Sequence, residues 1–394
     1  MIAITAVPAK VYDFLFQFKH HFRCAQARHF LLFCWLLVML ILNCGKGRLK
    51  QLCQAMPERL KYWALMRLLR SGQWDAQSLL DDVVAQTWPS LPPPADGVLY
   101  LIGDATLKGK RGEKYPLCRK ARINEYAGYC FGFEMVLLVA SWGKSRLPVA
   151  IRCVDPDRKG HASICFRQML RRFQPPAWAK KVVVLGDAGF AAKKTFQVIN
   201  RKKYSYVFAV SRTRKFADGK HLRDLVNHLP EKNYRRVASY KPDGRRQDYW
   251  IYSRRAELKD LGEVTMVLSK RRRNAGPKKT KTIVTNLLEA KVGEILSQYA
   301  RRWGVELTIK ESKGGLHLGQ MQVTKRAERV ERAVALPVLA YLLLVRLYGR
   351  EEADEKRFSL LKLKQRFAAD VFQEQLSRNE QKWRKKLDKY RLAA

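Results

Sequence analysis

Residues 299–313 read Tyr-Ala-Arg-Arg-Trp-Gly-Val-Glu-Leu-Thr-Ile-Lys-Glu-Ser-Lys. If this stretch is helical, each residue advances about 100° around the axis, and the polar side chains form one stripe. The members of this stripe are Tyr299, Arg302, Glu306, Lys310 and Lys313. Two interpretations fit the stripe alone. It is either a surface helix with i,i+4 salt bridges, or a face on which a carboxylate binds a divalent metal and the cations bind phosphate oxygens.

The composition indicates a globular protein with a polyanionic partner. A chain of 394 residues with 47% apolar content is long enough for two or three domains and a sizeable core. Its formal net charge is +42, from 77 Lys and Arg against 35 Asp and Glu. Nucleic acid is the commonest partner of such a chain. A ribosomal or membrane-surface protein is the alternative.

Cysteine spacing and hydropathy argue against two other classes. The eight cysteines include no C-x-x-C pair, so we expect reduced thiols in a cytoplasmic protein and no zinc site. The apolar run 30–42 is too short to span a bilayer, and the run 333–345 contains Pro337. Both runs predict buried core helices, and no membrane partner is expected.

The residue pattern divides the chain into five segments. Residues 1–92 are helical in pattern with basic outer faces, which fits a DNA-binding bundle or a scaffold bundle equally, and residues 88–97 read as a linker. The segments that follow are 93–211, a first part of an α/β core; 212–282, a β-rich insertion; 283–350, a second part of the core; and 351–394, a basic helical tail that contacts DNA or pairs protomers.

The β-rich insertion contains a hairpin signal and a basic loop. Pro242-Asp-Gly244 separates two strand-like runs. The loop from residue 270 to residue 281 has seven basic residues and no acid, beginning with Lys270, Arg271, Arg272 and Arg273. We expect this loop to bind phosphates; a solvated loop is the alternative.

Two aspartates follow apolar strands. Asp104 follows the run 98–103, and Asp187 follows the run 182–186. Ligands gather at the carboxyl ends of strands in α/β sheets, although an isolated Asp there is usually a turn former. Together with Glu306, these aspartates make a set of three carboxylates. Such a set can hold two Mg²⁺ ions in the arrangement that phosphodiester cleavage and transfer use.

The spacing Tyr299-x2-Arg302-x3-Glu306-x6-Lys313 resembles the Y-(2)-R-(3)-E-(6)-K signature of bacterial insertion-sequence transposases. These cut-and-paste enzymes carry a DDE triad on an RNase H-like core with a β-rich insertion. Asp104-Ala-Thr106 is similar to the context of their first Asp, and Asp187-Ala-Gly-Phe190 to that of their second. The chain departs from the commonest first motif, because Gly103 stands where a second Asp precedes the catalytic one.

The resemblance implies roles for individual residues. Asp104, Asp187 and Glu306 are the expected catalytic metal ligands for two Mg²⁺ ions, with Mn²⁺ as a substitute. Tyr299, Arg302 and Lys313 are expected to hold phosphates near the cut transposon end. Trp303 either stacks on a flipped base or anchors the helix in the core, and the second role is slightly favoured. The match assigns no role to Lys310.

The resemblance also implies a reaction and its partners. The expected enzyme frees a 3′-OH at each transposon end, forms a hairpin, reopens it and joins the ends to target DNA. Its expected partners are the terminal inverted repeats, the target DNA and a second copy in a synaptic homodimer at the bacterial nucleoid. A structure-specific nuclease on the same core, a domesticated non-catalytic DNA-binding protein and an RNA-binding scaffold are the rival interpretations.

Overall fold

The computed structural model of the chain describes residues 6–22, 27–54, 61–110, 115–123, 128–240, 244–322, 326–353 and 359–391. Contacts divide the chain into two compact units. The helical unit consists of Met1–Pro92, Lys110–Cys118 and Lys310–Ala394. The α/β unit consists of Pro93–Gly109 and Arg119–Ile309.

The described α-helices, in chain order, are α1 (Ala9–Phe16), α2 (Ala27–Leu42), α3 (Leu49–Gln54), α4 (Tyr62–Ser71), α5 (Ala76–Thr87), α6 (His161–Arg172), α7 (Lys193–Arg201), α8 (Leu222–His228), α9 (Val292–Ala300), α10 (Trp303–Gly315), α11 (Ala327–Ala353) and α12 (Leu360–Arg391). The described strands are β1 (Val98–Gly109), β2 (Cys118–Ile123), β3 (Gly128–Trp142), β4 (Ser145–Cys153), β5 (Lys181–Gly186), β6 (Ser205–Ala209), β7 (Arg235–Tyr240), β8 (Arg246–Leu258), β9 (Gly262–Lys270) and β10 (Lys281–Thr285).

The two apolar runs form the core of the helical unit. Residues 333–345 of α11 are all buried, and α11 packs against α2, α5 and α12. In α2, residues 30–41 are buried except Leu31. The prediction of two buried core helices is therefore confirmed. Among the described residues, no helix combines the length and the apolar character that crossing a membrane requires.

The segment predicted as a linker is packed over its first half. Trp88 and Leu91 are buried, and the Arg346 guanidinium of α11 donates a hydrogen bond of 3.3 Å to the Ser90 hydroxyl. The linker prediction is wrong for these residues, because their apolar side chains gain more from burial than the proline-rich composition suggested. The chain leaves the helical unit only after Pro92.

A ten-stranded mixed sheet organises the α/β unit. Its order is β2-β3-β1-β5-β6-β10-β9-β8-β7, with β4 paired to β3. Strands β1, β5 and β6 are parallel, whereas β3 is antiparallel to β1 and β4 is antiparallel to β3. The five strands β4-β3-β1-β5-β6 make the expected RNase H-like core, so the predicted fold class is confirmed. Strands β7 and β8 pair as the hairpin signal predicted, although residues 241–243 lie outside the described ones.

Strand β1 does not end at Asp104, as the sequence predicted. It continues to Gly109 and pairs with β3 as far as Gly132. Its parallel pairing with β5 ends at Ile102 and Leu185. The longer antiparallel partner therefore keeps the second half of β1 extended, and Asp104 marks the end of the parallel pairing rather than the end of the strand.

The two faces of the sheet are covered by different helices. On one face, α6 brings Phe166 against Gly103, and β6 brings Phe208 beside Gly186. On the opposite face, Gly304 of α10 lies against Ile102, where an added Cβ would be 3.7 Å from the isoleucine Cδ1. Side chains alternate between faces along a strand, so Asp104 shares the face of Ile102, where α10 begins.

The expected single helix over residues 299–313 is interrupted. Helix α9 ends at Ala300 and α10 begins at Trp303. The Arg302 amide donates to the Tyr299 carbonyl at 3.0 Å, and the Val305 amide donates to the Arg302 carbonyl at 3.2 Å. These i→i−3 bonds form a tight turn. The turn keeps Tyr299 beside Arg302, while Glu306 falls in the first turn of the new helix.

Candidate active site

Two aspartates lie level with each other on adjacent parallel strands. The last β1–β5 pair is Ile102 with Leu185, and Asp104 and Asp187 each follow two residues later. The same register therefore places the two aspartates side by side and on one face of the sheet. Neighbouring strands lie about 4.8 Å apart, which brings both carboxylates within reach of one small ligand.

A backbone amide orients each of these carboxylates. The Ala105 amide donates to Asp104 Oδ1 at 2.9 Å, and the Gly189 amide donates to Asp187 Oδ1 at 2.9 Å. The second bond belongs to the tight turn Asp187-Ala-Gly-Phe190, which Phe190 anchors in the core against Phe166 at a ring distance of 4.9 Å. One oxygen of each carboxylate is thus oriented by the backbone.

Arg302 connects Glu306 to the first aspartate. Its Nη2 donates to Glu306 Oε1 at 2.5 Å, and its Nη1 lies 3.5 Å from Asp104 Oδ2. Arg302 and Asp104 are both largely buried, with side-chain exposures of 18% and 19%. The register of β1 and β5 and the helix start at Trp303 thus bring all three predicted acids to one cluster, with a guanidinium among them.

Burial and charge perturb this cluster. Burial raises the pKa of the Asp104 carboxyl to about 6. The Arg302 guanidinium and the Ala105 amide oppose this shift, and the charges of Asp187 and Glu306 add to it. A buried carboxyl among two others is an electrostatic setting that an additional cation would relieve.

Tyr299 lies next to the acid cluster, near Arg302, Asp187 and Asp104. Its side chain is buried, and burial raises the pKa of its hydroxyl, against the attraction of Arg302. The Lys281 ammonium lies 5.1 Å from the centroid of its ring. Sequence reasoning missed Lys281, since it counted this residue only as the end of a basic loop. Its position at the start of β10 is set by the antiparallel pairing of that strand with β6, which no local sequence pattern reveals.

The four basic residues predicted to bind DNA lie in different environments. Lys270 is only 5% exposed, and its ammonium lies 4.1 Å from the Tyr234 ring centroid. Arg273 lies over the Trp250 ring at 5.2 Å. Arg271 and Arg272 are exposed. Arg271 is close enough to Lys281 to help lower the pKa of that lysine. Lys270 therefore has a structural contact, and the arginines are available at the surface.

The remaining predicted residues occupy α10. Trp303 is 59% exposed, so the favoured interpretation of a core anchor is wrong. It is the first residue of α10, directly after the turn, and its side chain is exposed to solvent there. Lys310 is exposed, and both Lys310 and Lys313 belong to the helical unit, whereas the acid cluster belongs to the α/β unit.

Comparisons with known proteins agree with this architecture. A family model described as "Transposase DDE domain" matches residues 111–343, which is more than half of the chain and includes Asp187 and Glu306, with Asp104 just ahead of the matched range. The chain therefore belongs to the DDE transposase family. It is a DNA transposase, a metal-dependent DNA endonuclease and strand transferase. No match was found among curated protein sequences.

A solved structure supports the fold. The chain is similar to the piggyBac transposase in a cryo-EM structure of its synaptic complex with hairpin DNA, with a TM-score of 0.50 and 12% sequence identity. The similarity covers 91% of this chain and 73% of the other. At this identity the likeness concerns the fold alone.

Enzymes of this family use divalent metal ions, and the acid cluster fits one. Its donors are carboxylate oxygens, the ligands that hard divalent cations prefer. Among the described residues, Asp187 Oδ2 and Glu306 Oε2 have no hydrogen-bond donor, while one oxygen of each carboxylate is already held. The cluster thus combines oriented carboxylates with uncommitted oxygens.

Proposed function

We propose that Asp104, Asp187 and Glu306 are the catalytic metal ligands of a cut-and-paste transposase that forms a DNA hairpin. The observation that carries this proposal is the register of β1 and β5, which sets the two aspartates level on one face. The third acid joins them through Arg302. Three carboxylates in this relation suit two Mg²⁺ ions, for which Mn²⁺ is a substitute. Such ions, when bound, activate the attacking oxygen and stabilise the leaving one.

The residues around the acids would hold the DNA backbone. Arg302 offers a guanidinium, and Tyr299 a hydroxyl, beside the point where a scissile phosphate would approach the carboxylates. Lys313 would also contact a phosphate, as its position in the transposase signature implies. Arg271, Arg272 and Arg273 would extend the contact along the duplex, since an exposed basic segment neutralises phosphates without regard to sequence.

The proposed reaction consists of four successive attacks on phosphodiesters. Water attacks a phosphodiester at the transposon end, which frees a 3′-OH and leaves a 5′-phosphate on the other fragment. The 3′-OH attacks the phosphodiester of the opposite strand, which closes a hairpin and releases the flanking DNA. Hydrolysis reopens the hairpin into a 3′-OH and a 5′-phosphate. That 3′-OH attacks a phosphodiester of the target DNA, which joins it to the target 5′-phosphate and releases a target 3′-OH. The exposed Trp303 beside Arg302 suits a base that must leave the stack for the hairpin to close.

We propose a homodimer that synapses two ends at the bacterial nucleoid, where terminal repeats and target DNA are found. Helix α12 supports this proposal because four of its large apolar side chains are exposed. These side chains are Leu361, Phe372, Leu376 and Trp383. Light scattering of the full chain with and without end DNA tests it. A mass of one protomer with saturating DNA would contradict it.

The deciding experiment replaces Glu306 by Gln. The variant keeps the shape of the side chain and loses its charge, so we expect cleavage to fall by on the order of a thousandfold or more while end binding is retained. Its substrate is a duplex taken from the DNA that flanks the coding region. The matched control is Glu289→Gln, an exposed acid that pairs with Arg255. Normal cutting by the Glu306 variant would refute the triad.

Strand transfer separates the remaining candidates. A structure-specific nuclease cuts the donor duplex without joining it to a target, whereas a transposase yields joined donor–target products. A non-catalytic DNA-binding protein shows neither product with Mg²⁺. An RNA-binding scaffold would prefer duplex RNA over duplex DNA at matched salt.

A further inference from the structure

Lys281, the first residue of β10, lies at the same end of the sheet as the two aspartates. Strand β10 is antiparallel to β6, and Ile283 lies opposite Ala209. The Val210 amide donates to the Thr282 carbonyl at 3.0 Å, so the pairing continues past the end of β6. Lys281 therefore lies beyond the carboxyl ends of the parallel strands, where ligands of such sheets bind.

Lys281 also shares a face with the aspartates. The β5–β6 register that pairs Gly186 with Phe208 carries Asp187 to the level of Ala209. Ala209 lies opposite Ile283, and Lys281 comes two residues before Ile283. Directly opposed residues and residues two apart lie on the same side of a sheet. Lys281 pairs with Ser269, which extends this face to β9. Arg271 lies two residues after Ser269, just beyond the end of β9.

The ammonium of Lys281 is available for an anion. Among the described residues, its Nζ has no hydrogen-bonded or ion-paired partner, and it lies 5.1 Å from the centroid of the Tyr299 ring. The pKa of Lys281 is lowered, chiefly by loss of hydration and further by the charges of Arg302 and Arg271. The charges of Glu306 and Asp187 oppose this shift. Arg302, by contrast, is already engaged by Glu306. Lys281 is exposed to solvent, so an anion from solution can reach its ammonium.

We propose that Lys281 binds a backbone phosphate of the DNA strand held at the three carboxylates, and so positions that strand for cleavage. This inference rests on the proposed function and adds a residue that the transposase signature does not contain. The contact would come from the β10 side of the site, where Lys281 lies over the Tyr299 ring. A phosphate between Lys281 and Arg302 would be held by two cations from separate elements.

The test compares Lys281→Gln and Lys281→Arg with the control Lys291→Gln, which removes the same charge from an exposed residue ahead of α9. The probe is the flanking-DNA duplex, made either with natural phosphates or with one neutral methylphosphonate at each position around the cut. We expect Lys281→Gln to slow single-turnover cleavage about tenfold or more. Lys281→Arg should restore part of this loss, and the salt slope of binding should fall by about one.

The methylphosphonate scan identifies the contact itself. In the wild type, one neutral position should slow cleavage about as much as Lys281→Gln does. In the Lys281→Gln variant, that same substitution should cost little more, because the phosphate has already lost its partner. Equal sensitivity of both proteins at every position, or cleavage by Lys281→Gln as fast as by the Lys291 control, would overturn the proposal.

The same experiment distinguishes this failure from failure of the proposed function. If the enzyme is not a cut-and-paste transposase acting through the triad, the wild type itself fails to cut the flanking duplex with Mg²⁺, or Glu306→Gln cuts it normally. If only the role of Lys281 is mistaken, the wild type cuts, Glu306→Gln does not, and Lys281→Gln matches its control.

Discussion

Phe166 fills the space in which a side chain at Gly103 would lie. An added Cβ at Gly103 would be 2.2 Å from Phe166 Cε2, far inside van der Waals contact. The same ring packs against Phe190, three residues after Asp187. One side chain of α6 therefore supports the segments that carry both aspartates. It also gives a physical reason why the chain has glycine where the commonest transposase motif has a second Asp.

Gly103→Ala should destabilise the protein, because the ring of Phe166 must move to admit the methyl group. We expect a loss of about 1–3 kcal/mol in the free energy of unfolding. Combining it with Phe166→Ala should recover part of this loss, a coupling of roughly 0.5–3 kcal/mol. Urea unfolding of the two single variants and the double variant measures it. Gly128→Ala, where nothing lies within 4 Å of the new Cβ, serves as the control; additive losses would contradict the contact.

The sequence was sufficient for most of the α/β core. The apolar runs that form β5 and β6 predicted these strands closely, since buried parallel strands read as continuous apolar segments. Strand β1 was predicted too short, because its second half is held by a partner strand rather than by its own hydrophobicity. The segment 88–91 was predicted as a linker because proline content does not reveal which apolar side chains find a surface to cover.

The candidate site was predictable only where its residues carry local signals. Asp104 and Asp187 stand after apolar runs, and Glu306 stands in a spaced motif. Lys281 has neither signal, because its position depends on which strand pairs with β6 and in which register. The sequence slightly favours a core position for Trp303, because helical periodicity does not show that a turn interrupts the helix just before this residue.

Arg302→Gln should bind Mg²⁺ more tightly than the wild type and cut DNA more slowly. The guanidinium competes with a metal for Glu306 and Asp104, so its removal should tighten binding by about fivefold, the equivalent of roughly 1 kcal/mol. Cleavage should fall because a phosphate contact is lost. Calorimetric titration with Mg²⁺ gives the first quantity and single-turnover cleavage the second. Weaker metal binding in the variant would mean that Arg302 orients the carboxylates rather than competing for them.

Trp303→Ala should fold as stably as the wild type, since a side chain that is 59% exposed contributes little to the core. Nicking at the transposon end should be nearly unchanged, whereas hairpin formation should fall about tenfold, in line with a stacking contact of about 1–3 kcal/mol. Denaturing gels separate nicked from hairpin products. Trp303→Phe should retain most of the hairpin yield, and equal yields from the Ala and Phe variants would exclude a stacking role.

Acid should destabilise the protein partly through His317. Its side chain is buried, and its Nε2 lies 3.1 Å from the Asn43 carbonyl oxygen. Burial lowers the pKa of His317 below its usual 6.5, and the nearby Lys364 lowers it further, against the Asn43 carbonyl. Above pH 6.5 the imidazole is neutral in both folded and unfolded chains, so it has no pH-dependent effect. Below pH 6.5 the unfolded chain binds the proton first, and stability is lost as the pH falls toward the folded pKa.

His317→Asn removes this titration and suits the local backbone, because asparagine tolerates the φ of 62° found there. The wild type should therefore lose stability faster than the variant between pH 6.5 and the folded pKa, by up to about 1.4 kcal/mol for each pH unit. Urea unfolding across this range measures the difference, and an NMR titration of the histidine rings gives the pKa directly. Parallel stability curves for the two proteins, or a His317 pKa at or above 6.5, would contradict the prediction.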